Sequence, residues 1–305
     1  MLYQKLLRRA LAINLTSSPF RAYATMATPV QNFTLDKSIF NGDLYSRLRD
    51  FYFPNVPANA STPSEEVRAR HFGIGLSEQE KAAVDDQCRD NFAGALESIG
   101  PEEFLLPPFE SPAKDLKEAE TLSAPLLAEI QQAQAQDAKK GTDTLLSLVV
   151  LLDQMPRNIY RDPAGLRKVY MHYDRLSFSL LHSSMRLNPS PIDHSSYRLR
   201  PVYKNLFLMP LMHSEHLPSH NLFYEIAGQT LKDVKEVGDE EAAKYVQMQI
   251  DFEHKHADII KKFGRYPYRN ELLGRRSTAE EEKWLETGET FGVKTGKNAG
   301  AKDEL

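Results

Sequence analysis

Apolar positions are densest between Leu145 and Leu152, where Ser147 alone interrupts a run of Leu and Val. A run apolar on nearly every side reads as a helix buried all round. A buried strand has the same periodicity over so short a stretch, but the segment is Leu-rich, not β-branched, and Thr142 or Asp143 is placed to cap a first helical turn. A dense polar knot follows at once. Asp153, Gln154, Arg157 and Asn158 fall at four-residue spacings that share a helix face. Pro156 is expected to kink or end the helix, leaving carbonyls for Arg157 and Asn158 to satisfy.

The same pattern predicts helices along most of the chain. Asp43 to Phe53 carries Leu44, Leu48, Phe51 and Tyr52 at helical spacing, and Pro54 to Pro63 reads as a loop. Ser77 and Glu80 form a capping box that opens a helix through about Ile99. Pro101 to Pro112 is a break. Leu116 to Lys140 has few apolar anchors and is expected to be an exposed helix pair split near Pro125. Helices are further expected over Asp162 to Met185, Pro218 to Val237, and Glu240 to Phe263, the last stopped by Gly264. A second capping box at Ser277 to Glu281 starts a short helix carrying Trp284 and Leu285. No segment alternates in the manner of a strand. The fold expected is therefore all-α, with helices packed as antiparallel pairs joined by short loops and without a clear sequence repeat.

Composition narrows the class. With 305 residues, a net charge of -4 and a pI near 6.2, the chain lacks the basic surface of a nucleic-acid binder. No apolar run reaches the ~20 residues of a membrane helix. Cys88 is the single cysteine, which excludes an internal disulfide and a cysteine-rich metal site, and its acidic neighbours Asp85, Asp86 and Asp90 raise its pKa. Residues 1–35 hold Lys5, Arg8, Arg9 and Arg21 with no acid before Asp36, the composition of a mitochondrial transit peptide cut after Tyr23. Met26 offers a cytoplasmic start as the alternative. Lys302 to Leu305 spell an endoplasmic-reticulum retrieval signal, read as coincidental because no secretory signal precedes it. A single domain is expected over 40–292. After Gly288 the composition turns to Gly, Lys and Asn, and a disordered tail is expected to follow, 293–305 at the least.

Three polar clusters carry candidate chemistry: Asp153, Gln154, Arg157, Asn158 and Arg161; His213, Glu215 and His220; and His256, Arg265, Arg269, Asn270 and Arg275. A metal could draw on His213, Glu215 and His256, but the spacing is not the two-His helix pattern, and no metal or other cofactor is assigned. An acid–base reading pairs His213 with Glu215, or Asp153 with His256. The arginines are the more suggestive group, since converging guanidinium forks recognise carboxylate or phosphate. Their structural alternative pairs Arg157 with Asp153, and Arg269 with Glu215 or Glu271.

At these residues a family resemblance enters. LLDQMPRNIYR, PLMHSEHL, HADIIKKFGRYPYRN, and LGRRSTAEEEKWL with the following ETGETFG resemble, in order, the signature segments of the domain of unknown function 924 family, of bacteria and fungi, here a fungal-type member. The resemblance covers roughly residues 40–292. It implies a tetratricopeptide-like helical bundle or superhelix with a concave face. It departs at Phe51-Tyr52-Phe53, where the family has Phe-Trp-Phe, and in the insertion that follows. Its polar motif positions fall on the three clusters, and it implies no reaction.

The function expected is binding of a small anionic molecule or a carboxylate-bearing peptide. Arg157, Arg265 and Arg269 would grip the anion, with Gln154, Asn158 and His213 orienting it. The rival is a hydrolytic enzyme, with or without a metal, and the third reading is an interaction scaffold whose clusters are structural.

Overall fold

The computed structural model describes residues 28–57 and 59–293. The leader up to residue 27 and the terminal Lys-Asp-Glu-Leu lie outside the described residues, whereas the last part of the segment assigned to the leader is packed. Thr28–Pro29 (β1) forms a two-residue parallel ladder with Phe104–Leu105 (β2), and Phe33 stacks on Phe104 at 4.4 Å. The remaining described elements are helical, so the fold is all-α.

Local chemistry sets most helix ends. Asn41 caps α1 (Gly42–Tyr52) by accepting from the Asp43 and Leu44 amides. The sequence pattern misses α2 (Glu65–Phe72), which buries Val67 alone, yet Ser64 caps it and Gly73, at φ +66°, ends it. Both capping boxes form, Ser77 with Glu80 at the start of α3 (Glu78–Glu97) and Thr278 with Glu281 at the start of the last helix. After α4 (Pro112–Lys117), the expected split at Pro125 is absent: α5 (Ala119–Gln136) runs through it. Its buried face of Leu122, Leu126, Leu127 and Ile130 packs on two neighbouring helices, which offsets the hydrogen bond that proline removes.

The central helix also begins earlier than expected. Asp137, not Thr142 or Asp143, caps α6 (Ala138–Val149) by accepting from the Lys140 amide. Thr142 instead donates to the Pro191 carbonyl, and Asp143 accepts from Tyr197 Oη. Asp137 alone separates α5 from α6, so the two helices fold back on each other, and Gly141 sits where they touch. A Cβ there would lie 2.7 Å from Gln134 Cβ and 3.0 Å from its Cα. Gly141→Ala is therefore expected to destabilise by ~1–3 kcal/mol through overpacking, against the ~1 kcal/mol that alanine gains over glycine in an open helix. Urea denaturation decides it, and a raised midpoint would contradict this contact.

Pro156 does not end the helix. The backbone widens into a π-helical turn, Val150–Gln154, in which the Met155 amide reaches five residues back to the Val150 carbonyl, and it then resumes as α7 (Met155–Ile159). The next helix repeats the device. After α8 (Pro163–Lys168), Val169–Tyr173 forms a second π-turn, with the Asp174 amide on the Val169 carbonyl, before α9 (Asp174–Met185). The two π-turns touch, and such turns are concentrated at functional sites.

Beyond short turns the chain reaches α10 (Met209–Met212), then the hairpin of α11 (Leu217–Glu236) and α12 (Glu240–Phe263), the latter ended by Gly264 at φ +70°. The last helix is α13 (Ala279–Trp284). The main core gathers the run Leu145 to Leu152 with Leu48, Phe92, Leu176, Phe207 and Phe223. Past Gly288 the chain stays packed through Val293, and the Phe291 ring stacks on His256 at 3.7 Å.

Candidate functional site

A cavity opens where the first π-turn, α9, the loop after α10 and the segment after α12 meet. Four of the candidates line it: Asp153, His213, Glu215 and Arg269. Tyr170 and Asp174 join them, and Phe109, Met171, Phe178, Pro210 and Leu273 supply apolar wall. Its water-accessible volume is about 60 Å³. At ~10–15 Å³ per water by that measure, it has room for a handful of waters or a small organic group.

Asp153 is fully buried at the end of the apolar run. His213 Nδ1 lies 2.9 and 3.0 Å from its two carboxylate oxygens. Gln154 donates to the same carboxylate and accepts from Tyr52 Oη at 2.8 Å, so a relay from α1 fixes the acid. Burial pushes the Asp153 pKa up, but the Arg157 charge and the hydrogen bonds from His213 and Gln154 outweigh it and hold the carboxyl ionised. Burial, and then Arg157, pushes His213 below its ordinary value against the pull of Asp153, so the ring is neutral at neutral pH. A carboxylate at Nδ1 fixes the tautomer with the proton there. Nε2 then carries a lone pair, with no protein partner among the described residues.

The arginines divide. Arg157 pairs with Asp174 at 2.8 Å and donates to the Asp153 carbonyl, while the Asp153 carboxylate stays 3.9 Å away. Its main acid is thus Asp174, not Asp153. Arg275 clamps Glu215 with both terminal nitrogens, and Glu215 also accepts from the Tyr266 amide. Burial raises the Glu215 pKa, but these bonds and Arg269 bring it below the usual carboxylate range. Arg265 is held by Glu281 and the Arg276 carbonyl, beside α13. Asn158 and Arg161 turn to Asp85 on α3. Asn270 donates to Ser277. None of Arg265, Asn158, Arg161, Asn270 and Arg275 lines the cavity.

Arg269 differs from all of these. Its side chain is 7% exposed, its nearest acid is Asp174 at 3.6 Å, and Nε is buried without a hydrogen-bond partner. Three tyrosine rings surround the guanidinium, with centroids 4.3 Å (Tyr170), 4.6 Å (Tyr266) and 5.8 Å (Tyr268) away.

The acid–base pairs expected from sequence are exchanged. Glu215 is engaged by Arg275, and His256 bonds its own helix at the Phe252 carbonyl, its ring centroid 6.3 Å from that of His213. Burial, and then His213, pushes the His256 pKa well down. The pair that forms is Asp153 with His213. Among the described residues no group of three or more His, Cys, Asp or Glu side chains is placed to hold a metal ion, so His213, Glu215 and His256 do not make one. Cys88 is buried, and burial, then Asp85, pushes its thiol up to about 12.

Three further residues, Asp174, Tyr170 and Glu253, were not among the candidates. Asp174 and Tyr170 belong to the site, and their one sequence signal is an aromatic and charged patch, Tyr170 to Arg175, inside an otherwise amphipathic helix. His220 and Glu253 are both fully buried and bonded at 2.6 Å; His220 Nε2 reaches the Ser214 carbonyl at 2.9 Å and so braces the loop that carries His213.

The family model described as bacterial protein of unknown function (DUF924) matches residues 49–289, well over half of the chain. No curated protein sequence matches it. A solved structure, the protein of unknown function ATU0120 from Agrobacterium tumefaciens, is similar at 24% identity, with 68% of this chain and 99% of that one covered and a TM-score of 0.35. No helix among the described residues is long and apolar enough to cross a membrane.

Proposed function

The chain belongs to the DUF924 family, and we propose that it binds a small organic anion in the cavity, with Arg269 as the counter-ion. One observation carries this reading: Arg269 is a nearly buried guanidinium whose Nε–H has no hydrogen-bond partner and whose nearest acid, Asp174 at 3.6 Å, is shared with Arg157, while Arg175 and Arg275 each hold a carboxylate of their own. A buried N–H donor is costly to leave unpaired, and a planar guanidinium suits an oxyanion. The tyrosine rings partly offset the charge and Tyr268 bonds the guanidinium, but Nε keeps its unpaired N–H. Arg157 becomes the brace that sets Asp174, and His213 the group that orients the ligand.

The test is a thermal-shift and calorimetric comparison of the full chain with Arg269→Gln against acetate, phenylacetate, hexanoate, sulfate and phosphate. Ligands that bind only the native state raise the melting temperature. We expect one class of anion to do so, and Arg269→Gln to weaken it ~100-fold, the ~2–3 kcal/mol of a charge-assisted contact. Equal binding by the variant would refute the assignment.

The bond from Asp153 to His213 favours a second reading, an enzyme in which Asp153 orients His213 as an acid–base group for hydrolysing an ester or amide of such an acid. That reading requires turnover that His213→Gln abolishes.

A further inference from the structure

We infer that the ligand is a monocarboxylate with an apolar body, and that it enters the cavity with one proton, which comes to rest on Nε2 of His213. The inference rests on the anion site proposed above and adds the class of ligand and the means by which its charge is balanced.

Charges in and around the cavity are already matched. Asp115, Asp153, Asp174 and Glu215 stand against Arg157, Arg175, Arg269 and Arg275, with Asp115 on Arg175, Glu215 on Arg275, and Asp174 shared by Arg157 and Arg269. An entering carboxylate adds one uncompensated negative charge in a water-poor space, where such an excess is expensive.

His213 is the wall group able to correct it. The groups around its ring are Asp153 and Gln154 on the first π-turn, Arg157 on α7, Asp174 on α9, His256 on α12, and Glu215 and Arg269 on the flanking loops. Asp153 fixes the Nδ1 proton, so the neutral ring presents an acceptor at Nε2, and an acceptor cannot hold a carboxylate oxygen. Protonation turns Nε2 into a donor, leaves the bond to Asp153 intact, and sets a second positive group beside Arg269. Tyr170, raised by burial, stays neutral, and His256 lies behind His213 against Phe252 and Phe291.

The class of ligand follows from the same inventory. The unpaired Nε–H of Arg269 and one imidazolium N–H match the two oxygens of a monoanion, whereas a dianionic phosphate would sit among Asp153, Asp174 and Glu215. Phe109, Phe178, Pro210 and Leu273 receive a hydrocarbon body, and the volume of about 60 Å³ keeps it small.

Isothermal titration of the full chain with phenylacetate and with hexanoate, at pH 7 in two buffers of different ionisation enthalpy, tests this. We expect uptake of close to one proton per ligand bound, and affinity that weakens by up to tenfold per pH unit on the alkaline side. His213→Gln should bind more weakly and take up none. Carboxylate binding without proton uptake would overturn this inference and leave the anion site standing, and uptake that persists in His213→Gln would overturn it by placing the proton elsewhere. Binding of phosphate but not of the carboxylates would overturn the class of ligand. No binding of any of these anions would remove the anion site and this inference together.

Discussion

Lowering the pH from 7 to 5 is expected to cost the protein ~4 kcal/mol of stability or more, out of the ~5–15 kcal/mol a domain usually has. The cause is histidine buried without its charge. Burial, only partly offset by the bond to the Ile99 carbonyl, lowers His172 to about 4; burial and the neighbouring His216 lower His182 to about 4. An unfolded histidine titrates near 6.5, so the unfolded chain binds more protons than the native one from about that pH downward. Stability is intact above the unfolded value and falls steadily until the native rings titrate near 4. At pH 5 each of the two groups contributes a loss of ~2 kcal/mol, and His256, shifted in the same direction, adds to it. Glu253, raised by burial, works the other way: its stabilisation is present below the unfolded carboxyl value and is lost as pH rises through its native one. Its gain on acidification is smaller because His220 pairs with it. Urea titrations at half-unit intervals of pH measure the slope, and His182→Phe should flatten it by up to ~1.4 kcal/mol per unit. Equal stability at pH 7 and 5 would mean that these rings meet water in the native state.

The second large effect lies at the cavity rim. Arg175 on α9 donates Nε and Nη2 to the two oxygens of Asp115 at 2.8 and 2.9 Å, and Nη1 to the Pro107 carbonyl at 3.0 Å. Both side chains are buried, at 8% and 4% exposure. Asp115→Ala strands a desolvated guanidinium and should destabilise by ~3–5 kcal/mol, since breaking one side of a buried pair costs far more than the pair itself contributes. The double variant Asp115→Leu with Arg175→Met is expected to recover most of that loss, because it leaves no buried charge unpaired and only the half-buried Pro107 carbonyl loses a donor. A four-member cycle of denaturation energies checks both statements, and a cost for Asp115→Ala below ~1 kcal/mol would show that Arg175 finds another partner.

Helix starts were legible where the chemistry is local, as at Ser77 with Glu80 and Thr278 with Glu281, and so was the stop at Gly264. Failures came where a distant neighbour decides. Pro125 reads as a break until α6 and α9 are packed on its helix, and α2 has too little buried surface to give a pattern. The site follows the same rule. Asp153 and His213 were both visible as candidates, but their bond spans 60 positions, and no spacing rule joins them. Asn158 and Arg161 share a motif with Asp153 yet answer to Asp85, 73 and 76 positions away. Arg269 stands out only by what it lacks, and an unused donor cannot be read from a sequence.

Each π-turn holds one residue more than an α-helix would use over the same rise. The length of the chain through Val150–Gln154 is therefore a determinant of the site in its own right, separate from which residues fill it. Exchanging one aliphatic side chain for another at Leu151 alters packing. Deleting that residue would restore a regular helix with a better backbone ladder, while swinging the Asp153 carboxylate by about 100° around the helix axis, away from His213. The insertion that weakens the helix is thus what aims the acid, and a shorter, more regular version of this segment would fold around a cavity with no dyad in it.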